Sequence, residues 1–181
     1  MRKLLIAAIA LTSIMITRGA YAQKVVGGAA MSPGKNIVVN ASASKDHTTL
    51  VTAIKTAGLV SILQSAGPFT VFAPTNAAFA KLPAGTIETL EKPINKPALT
   101  KLLTYHVVAG KLSAANLLAK IKDDGGKTEL STLSGGILTV STQGGKIYLT
   151  DEKGGKSMVT IADVNQSNGV IHVVNTVLIQ E

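Results

Sequence analysis

Apolar and polar positions follow two different rhythms along this chain, and the change falls at Asp123-Asp124-Gly125-Gly126. Before it, the apolar residues recur at helical spacing. Leu50, Ile54 and Ala57 share one helical face, with Asp46 as the expected N-cap and Gly58 as the left-handed terminus. A second short helix is expected over 59–65. Thr86 is expected to cap a helix over 87–91, and Asn95 to cap one carrying Leu99, Leu102 and Leu103, with Pro97 in its first turn. Ser113 heads a last helix whose stripe is Leu117, Leu118 and Ile121. After the change the period is two. The runs 130–133, 137–142, 147–151, 158–164 and 170–179 read as strands, separated by Gly135-Gly136, Gly144-Gly145, Gly154-Gly155 and Asn168-Gly169. Those dipeptides accept the positive φ of tight hairpins. Helices followed by an antiparallel meander predict an α+β domain.

One stretch interrupts the helical half. Gly67-Pro68 stops what precedes it, and residues 69–73 form an apolar run of aromatic and β-branched side chains that reads as a buried strand. Pro74 ends the ladder, and Thr75 is placed to cap a short helix whose Phe79 and Leu82 share a face. A single turn of that kind is stable only when docked on a core.

This stretch, Thr70-Val71-Phe72-Ala73-Pro74-Thr75-Asn76-x-Ala78-Phe79, closely resembles the first signature of fasciclin (FAS1) domains. Residues 103–110, with Tyr105-His106 at their centre, resemble the family's central Tyr-His element. Residues 167–178, from Ser167-Asn168-Gly169-Val170 onward, resemble its closing motif. The three occur in the family's order over roughly 36–179. The resemblance implies a compact β-sandwich or wedge with a layer of short helices.

The first residues carry a different message. Arg2 and Lys3 precede an apolar run over 4–16, and Ala20-Tyr21-Ala22 supplies a small-residue cleavage site, so residues 1–22 read as a secretory signal peptide. Thr12, Ser13, Thr17 and Arg18 break the run below the roughly 18 clean apolar residues of a membrane span. Residues 23–35 read as a flexible leader, and 36–181 as the domain, in which 37–39 open as a short strand or turn. Removal of 1–22 leaves 159 residues with 15 basic against 10 acidic side chains, a net +5 instead of +8. There is no cysteine, so an exported product would rest on packing without disulfides. A periplasmic or released location follows.

Composition narrows the chemistry. Gly126-Lys127-Thr128 and Gly155-Lys156-Ser157 end like phosphate loops, but Ile121 and Thr150 stand where the leading glycine is needed and strands follow where a helix is required. Neither a G-x-G-x-x-G nor a G-x-S-x-G motif is present. His47, His106 and His172 lack ligand spacing, so no metal and no cofactor is expected. A triad drawn from His106 or His172 with Asp163 would need a chance arrangement; both histidines sit in apolar runs, where ring nitrogens commonly satisfy buried backbone groups. Scattered lysines, no tryptophan and 3% aromatic residues exclude a nucleic-acid stacking platform and leave at most a weak, salt-sensitive attraction to anionic polysaccharide or lipid.

The resemblance also implies a site. In fasciclin domains that bind integrins, an Asp-Ile dipeptide before the Asn-Gly-Val turn and the Tyr-His element are implicated in adhesion. By position these fall on Asp163-Val164 and on Tyr105-His106, with valine at 164 in place of isoleucine and Asn175 where an aspartate is frequent. The implied protein is a secreted, non-enzymatic adhesion or interaction module that binds a cell-surface protein or polysaccharide. An exported carrier with an apolar pocket between helices and sheet is the alternative, and a hydrolase comes third. The competing assignment for Tyr105, His106, Asp163 and Val164 is that they hold the fold.

Overall fold

The computed structural model describes residues 23–181; the expected signal peptide lies outside them. Helices α1 (Ile37–Ala43), α2 (Thr48–Ala57) and α3 (Val60–Gln64) precede the central strand β3 (Phe69–Pro74). The short helices α4 (Asn76–Phe79) and α5 (Thr86–Leu90) lead to α6 (Lys96–Tyr105), strand β4 (Val107–Ala109) and α7 (Ala114–Asp123). Strands β5 (Lys127–Ser131), β6 (Ile137–Gln143), β7 (Lys146–Thr150), β8 (Lys156–Gln166) and β9 (Gly169–Val174) complete the domain. Ahead of all of them, β1 (Val25–Val26) and β2 (Ala29–Ala30) form a small antiparallel hairpin.

The α+β class and the layer of short helices stand as expected, and the β layer is one continuous sheet in the order β4-β3-β9-β8-β7-β6-β5. A bridge between Val108 and Thr132 joins its two ends, so the sheet is a near-barrel. The expected meander is present as β5 to β9, antiparallel throughout. The organising strand β3 sits inside this sheet, antiparallel to β4 and parallel to β9, with Phe72 opposite His172. Two cores result. One packs α1, α2, α3 and α6 against one face of β3 and β9; the other fills the barrel with Phe72, Tyr105, Leu138, Leu149 and Leu178.

Four helix starts differ from expectation, for related reasons. Residues 37–39 are the first turn of α1, because Asn36 accepts a hydrogen bond from the Val39 amide and the Ile37 amide is taken by Asn168 Oδ1 at 3.0 Å. The cap and the burial of Ile37 and Val38 override the β preference of these residues. Asp46 lies in a 3-10 turn and caps nothing. The Thr49 amide of α2 is met instead by Asn76 Oδ1 at 3.0 Å, a cap delivered by the organising stretch. Thr86 is the first residue of α5, behind Gly85, and Asn95 donates its side chain to the Thr89 carbonyl in place of capping α6. Thr75 and Ser113 cap α4 and α7 as expected, Ser113 in a capping box with Asn116.

The stretch 23–35, read as a leader, is packed. Val26 and Met31 are buried in the helical core, and the Gly27 carbonyl accepts from the Lys45 amide at 3.1 Å. Few large side chains mark it, so hydropathy alone does not reveal its docking.

Gly169 shows how closely β3 and β9 approach, since a Cβ there would lie 2.0 Å from the Phe69 carbonyl oxygen. That atom is backbone in mid-sheet and cannot yield. Gly169→Ala is expected to cost about 3 kcal/mol by overpacking, read as an early urea midpoint; a variant with the wild-type midpoint would show that the parallel pairing tolerates separation.

Candidate functional site

The four residues singled out above fall into two separate networks. Tyr105 ends α6 and His106 links it to β4. Helical spacing puts Tyr105 into the barrel, where its ring is fully buried and its hydroxyl donates to the Ile137 carbonyl at 2.6 Å while accepting the Glu152 amide at 3.2 Å. Burial pushes its pKa up to about 12, so the hydroxyl stays a donor. His106 faces the opposite way. Its Nδ1 lies 2.9 Å from the Leu102 carbonyl, which can only accept, and its Nε2 receives the Leu178 amide at 3.0 Å. The ring is therefore a neutral Nδ1–H tautomer joining α6 to the C-terminal segment, and burial lowers its pKa to about 4.

The second network surrounds His172 on β9. It stacks on Phe72 with centroids 5.6 Å apart, donates from Nε2 to the Leu112 carbonyl at 2.8 Å, and accepts the Asp163 amide on Nδ1 at 3.3 Å. Burial lowers its pKa as well. Asp163 occupies an irregularity in the β8–β9 register at φ 54°, a left-handed conformation that few residues other than glycine or asparagine adopt. Its carboxylate accepts the Ala114 amide at 2.7 Å, at the first residue of α7. There the helix dipole and an unsatisfied N–H both favour a negative group.

Both imidazoles are saturated by backbone partners, so neither has a ring nitrogen free to take a proton from a nucleophile, and Asp163 orients a helix where a triad would have it orient a histidine. Among the described residues no group of three or more histidine and acidic side chains is placed to hold a metal ion. Tyr105, His106 and Val164 are all buried and offer no side-chain surface to a partner. Asp163 alone of the four is half exposed.

Asp163 borders a shallow surface. Lys24, Pro33 and Asn165 adjoin it on one side, and an open depression of about 400 Å³ continues over Lys111, Asn165 and Ser167. A second open cleft of about 500 Å³ lies between α2, α4 and α5, with Thr52, Asn76, Glu88 and Glu91 on its walls.

Sequence reading missed the amides. Asn168, expected only as a turn residue, accepts the Ile37 amide and donates to the Leu63 and Ser65 carbonyls, fixing the helical layer to the β8–β9 turn. Asn40 and Gln166, both buried, bond each other, and Asn40 also donates to the Ser32 carbonyl. The visible signal for Asn40 was a polar residue interrupting the buried stripe of α1.

The fasciclin domain model matches residues 45–180, which include both networks and all three motifs. The chain belongs to the fasciclin family. It is 46% identical over 155 residues to Protein sll1483 of Synechocystis, covering 86% of this chain and 79% of that one. It is 49% identical over 87 residues to the immunogenic protein MPB70 of Mycobacterium bovis, 45% of this chain and 44% of the other. The pig transforming growth factor-beta-induced protein ig-h3 is 35% identical over 134 residues, 71% of this chain and 17% of its own length. Among solved structures, a FAS1 domain pair from the insect cell adhesion molecule Fasciclin I superposes with a TM-score of 0.64 at 18% identity, over 81% of this chain and 51% of that one. That likeness is one of fold. Membership accounts for the motif order: the first motif supplies β3 and the Asn76 cap, the second supplies Tyr105 and His106, and the third supplies β9 beside β3.

Proposed function

We propose that this fasciclin domain is an exported, non-enzymatic adhesion or interaction module, and that it binds a cell-surface protein or polysaccharide through the shallow face around Asp163. The observation that carries the reading is that face itself. Asp163 is held in a left-handed conformation by its bond to α7, half exposed, beside Lys24 and Asn165, and the adjoining depression carries Lys111 and Ser167. Mixed charge over an open depression suits a polar macromolecular partner and gives little enclosure to a small substrate. A carrier would need a roomy closed cavity, whereas the most enclosed apolar space has about 10 Å³ free. The insect structure that shares the fold is named as a cell adhesion molecule, which agrees with this reading.

Adhesion of the purified protein to cells and to extracellular polysaccharide, at low and physiological salt, tests it. Asp163→Ala/Lys111→Ala is expected to lose at least about tenfold in adhesion while its melt falls by only about 2–4 °C, the consequence of one lost helix-terminal hydrogen bond. A folded wild type that adheres to nothing at either salt, or a variant that adheres undiminished, would sink the assignment. Attraction that disappears by physiological salt for wild type and variant alike would identify bulk charge as its whole source.

A further inference from the structure

Two depressions open beside Asp163, one bordered by Lys24, Pro33, Asp163 and Asn165, the other by Pro33, Lys111, Asn165 and Ser167. Pro33 and Asn165 belong to both, so the two form one trough. The irregularity in the β8–β9 register between Ile161 and Val164 resets the alternation of the strand that runs along it. Beyond that point Val164 and Gln166 are buried, at 1% and 3% exposure, whereas Asp163 and Asn165 are half exposed and Ser167 is exposed. Three polar side chains two residues apart make a row about 13 Å long. A row of that length, in an open trough, is matched to a polymer and exceeds a single sugar ring.

The charge on this trough is biased. Among the described residues that line it, Lys24 and Lys111 are cations and Asp163 is the one acid. Lys24 Nζ donates to the Ala162 carbonyl, which holds that cation next to the Asp163 end of the row. Lys111 is exposed, and the residue after it, Leu112, is fixed by its amide to Thr70 Oγ1 at 2.8 Å and by its carbonyl to His172. A third lysine adjoins the far end, because the Lys35 carbonyl accepts the Ser167 amide at 2.9 Å. Asp163 offsets little of this, since its Oδ1 is taken by the Ala114 amide and its charge is directed to the positive end of α7. Its second carboxylate oxygen, the Asn165 amide and the Ser167 hydroxyl are groups that bond hydroxyls.

Resting on the reading of this face as the partner surface, we infer that its partner is an acidic polysaccharide, a linear chain of uronic acid sugars. Carboxylates of the polymer pair with Lys24 and Lys111, and its hydroxyls bond Asp163, Asn165 and Ser167. Both halves of the match are needed. An acidic polypeptide satisfies the lysines but brings few hydroxyls to the row between them, and a neutral polysaccharide does the reverse. The scattered lysines elsewhere give a diffuse attraction, whereas the trough gives a site that saturates.

Equilibrium binding of the purified protein to polygalacturonate at physiological salt tests it. The methyl-esterified polymer keeps the hydroxyls and loses the charge; polyglutamate keeps the charge and loses the hydroxyls. Polygalacturonate is expected to bind saturably and about tenfold tighter than either. Lys24→Gln/Lys111→Gln is expected to weaken it about tenfold. Lys146→Gln/Lys153→Gln removes the same charge from exposed positions outside the trough and is expected to weaken it less than about twofold. Lys111→Glu takes the place of the first double variant if that one does not fold. Equal weakening in the two double variants, equal affinity for either comparison polymer, or binding that never saturates would overturn the inference. The interaction-module reading falls on a different result, a wild type that adheres to neither cells nor matrix. Cells that hold the wild type but not Asp163→Ala/Lys111→Ala, with polygalacturonate unbound, would overturn the polysaccharide and leave the module with a protein partner.

Discussion

His106→Ala is expected to lower the melting temperature by about 10 °C, from a loss of about 4 kcal/mol in a domain of this length. Two causes add. The ring is 2% exposed, so its removal leaves a cavity between α6 and the C-terminal segment. It also strands the Leu102 carbonyl and the Leu178 amide, whose partners were the two ring nitrogens, and each buried orphan costs about 1–3 kcal/mol. Tyr105→Phe supplies the scale. It keeps the ring in the barrel and loses only the hydroxyl's bonds to Ile137 and Glu152, so its cost is about 1–2 kcal/mol. Differential scanning calorimetry of the two variants beside wild type, with adhesion measured on each, separates the roles. A His106→Ala protein that melts like wild type and fails to adhere would restore the Tyr-His element to the partner surface.

Local signals in the chain were legible where one residue acts on its near neighbours. Thr75 and Ser113 cap helices three residues into their own future, and the strand between Gly67-Pro68 and Pro74 announces itself by composition. The switch from helical to alternating spacing at Asp123 to Gly126 located the meander. Contacts made across the chain were not legible. The cap of α2 comes from Asn76, 27 residues on, and the α1 amide of Ile37 is met by Asn168, 131 residues on. Pairing β3 beside β9 in parallel needs the whole intervening chain as its crossover, and no window of sequence contains it.

The candidate site was legible as a set of positions, and the part each residue plays came from distances. Tyr105 and His106 are adjacent, yet one hydroxyl ties β6 and the β7–β8 turn while the other ring ties the C-terminal segment. Asp163 and Val164 are adjacent as well, and the positive φ of Asp163 turns its carboxylate to the surface edge of α7 while Val164 enters the core. An alternating pattern predicts that two neighbours face opposite ways, but it does not predict a left-handed residue inside a strand. His47 carried no motif at all. Its burial exists only once the hairpin, α1 and β3 are brought together.

Acid is expected to weaken this domain well before its carboxylates titrate. His47, His106 and His172 are each held neutral, with pKa values lowered chiefly by burial; Asp46, Asp151 and Asp163 respectively oppose that shift by attraction, and Lys24 adds to it at His172. The sign follows from proton counting. Below the unfolded pKa of 6.5 the unfolded chain takes up protons that the folded chain refuses, so stability is full above about pH 6.5 and falls as pH drops toward the folded value. For His106, whose folded value is about 4, the loss between pH 7.5 and 4.5 is about 2.5 kcal/mol. The other two histidines add losses of the same sign, set against the roughly 5–15 kcal/mol that holds a typical domain. Protonation also has a local consequence, because a second N–H on His106 would point at the Leu178 amide that Nε2 now accepts. The C-terminal segment is therefore the first part expected to loosen. Urea unfolding at pH 7.5 and 4.5, on wild type and on His106→Gln, reads the effect: the pH difference should shrink by about 2.5 kcal/mol in the variant. Equal midpoints for wild type at the two pH values would mean that the imidazoles charge in place, and that the hydrogen bonds assigned to them do not hold the fold.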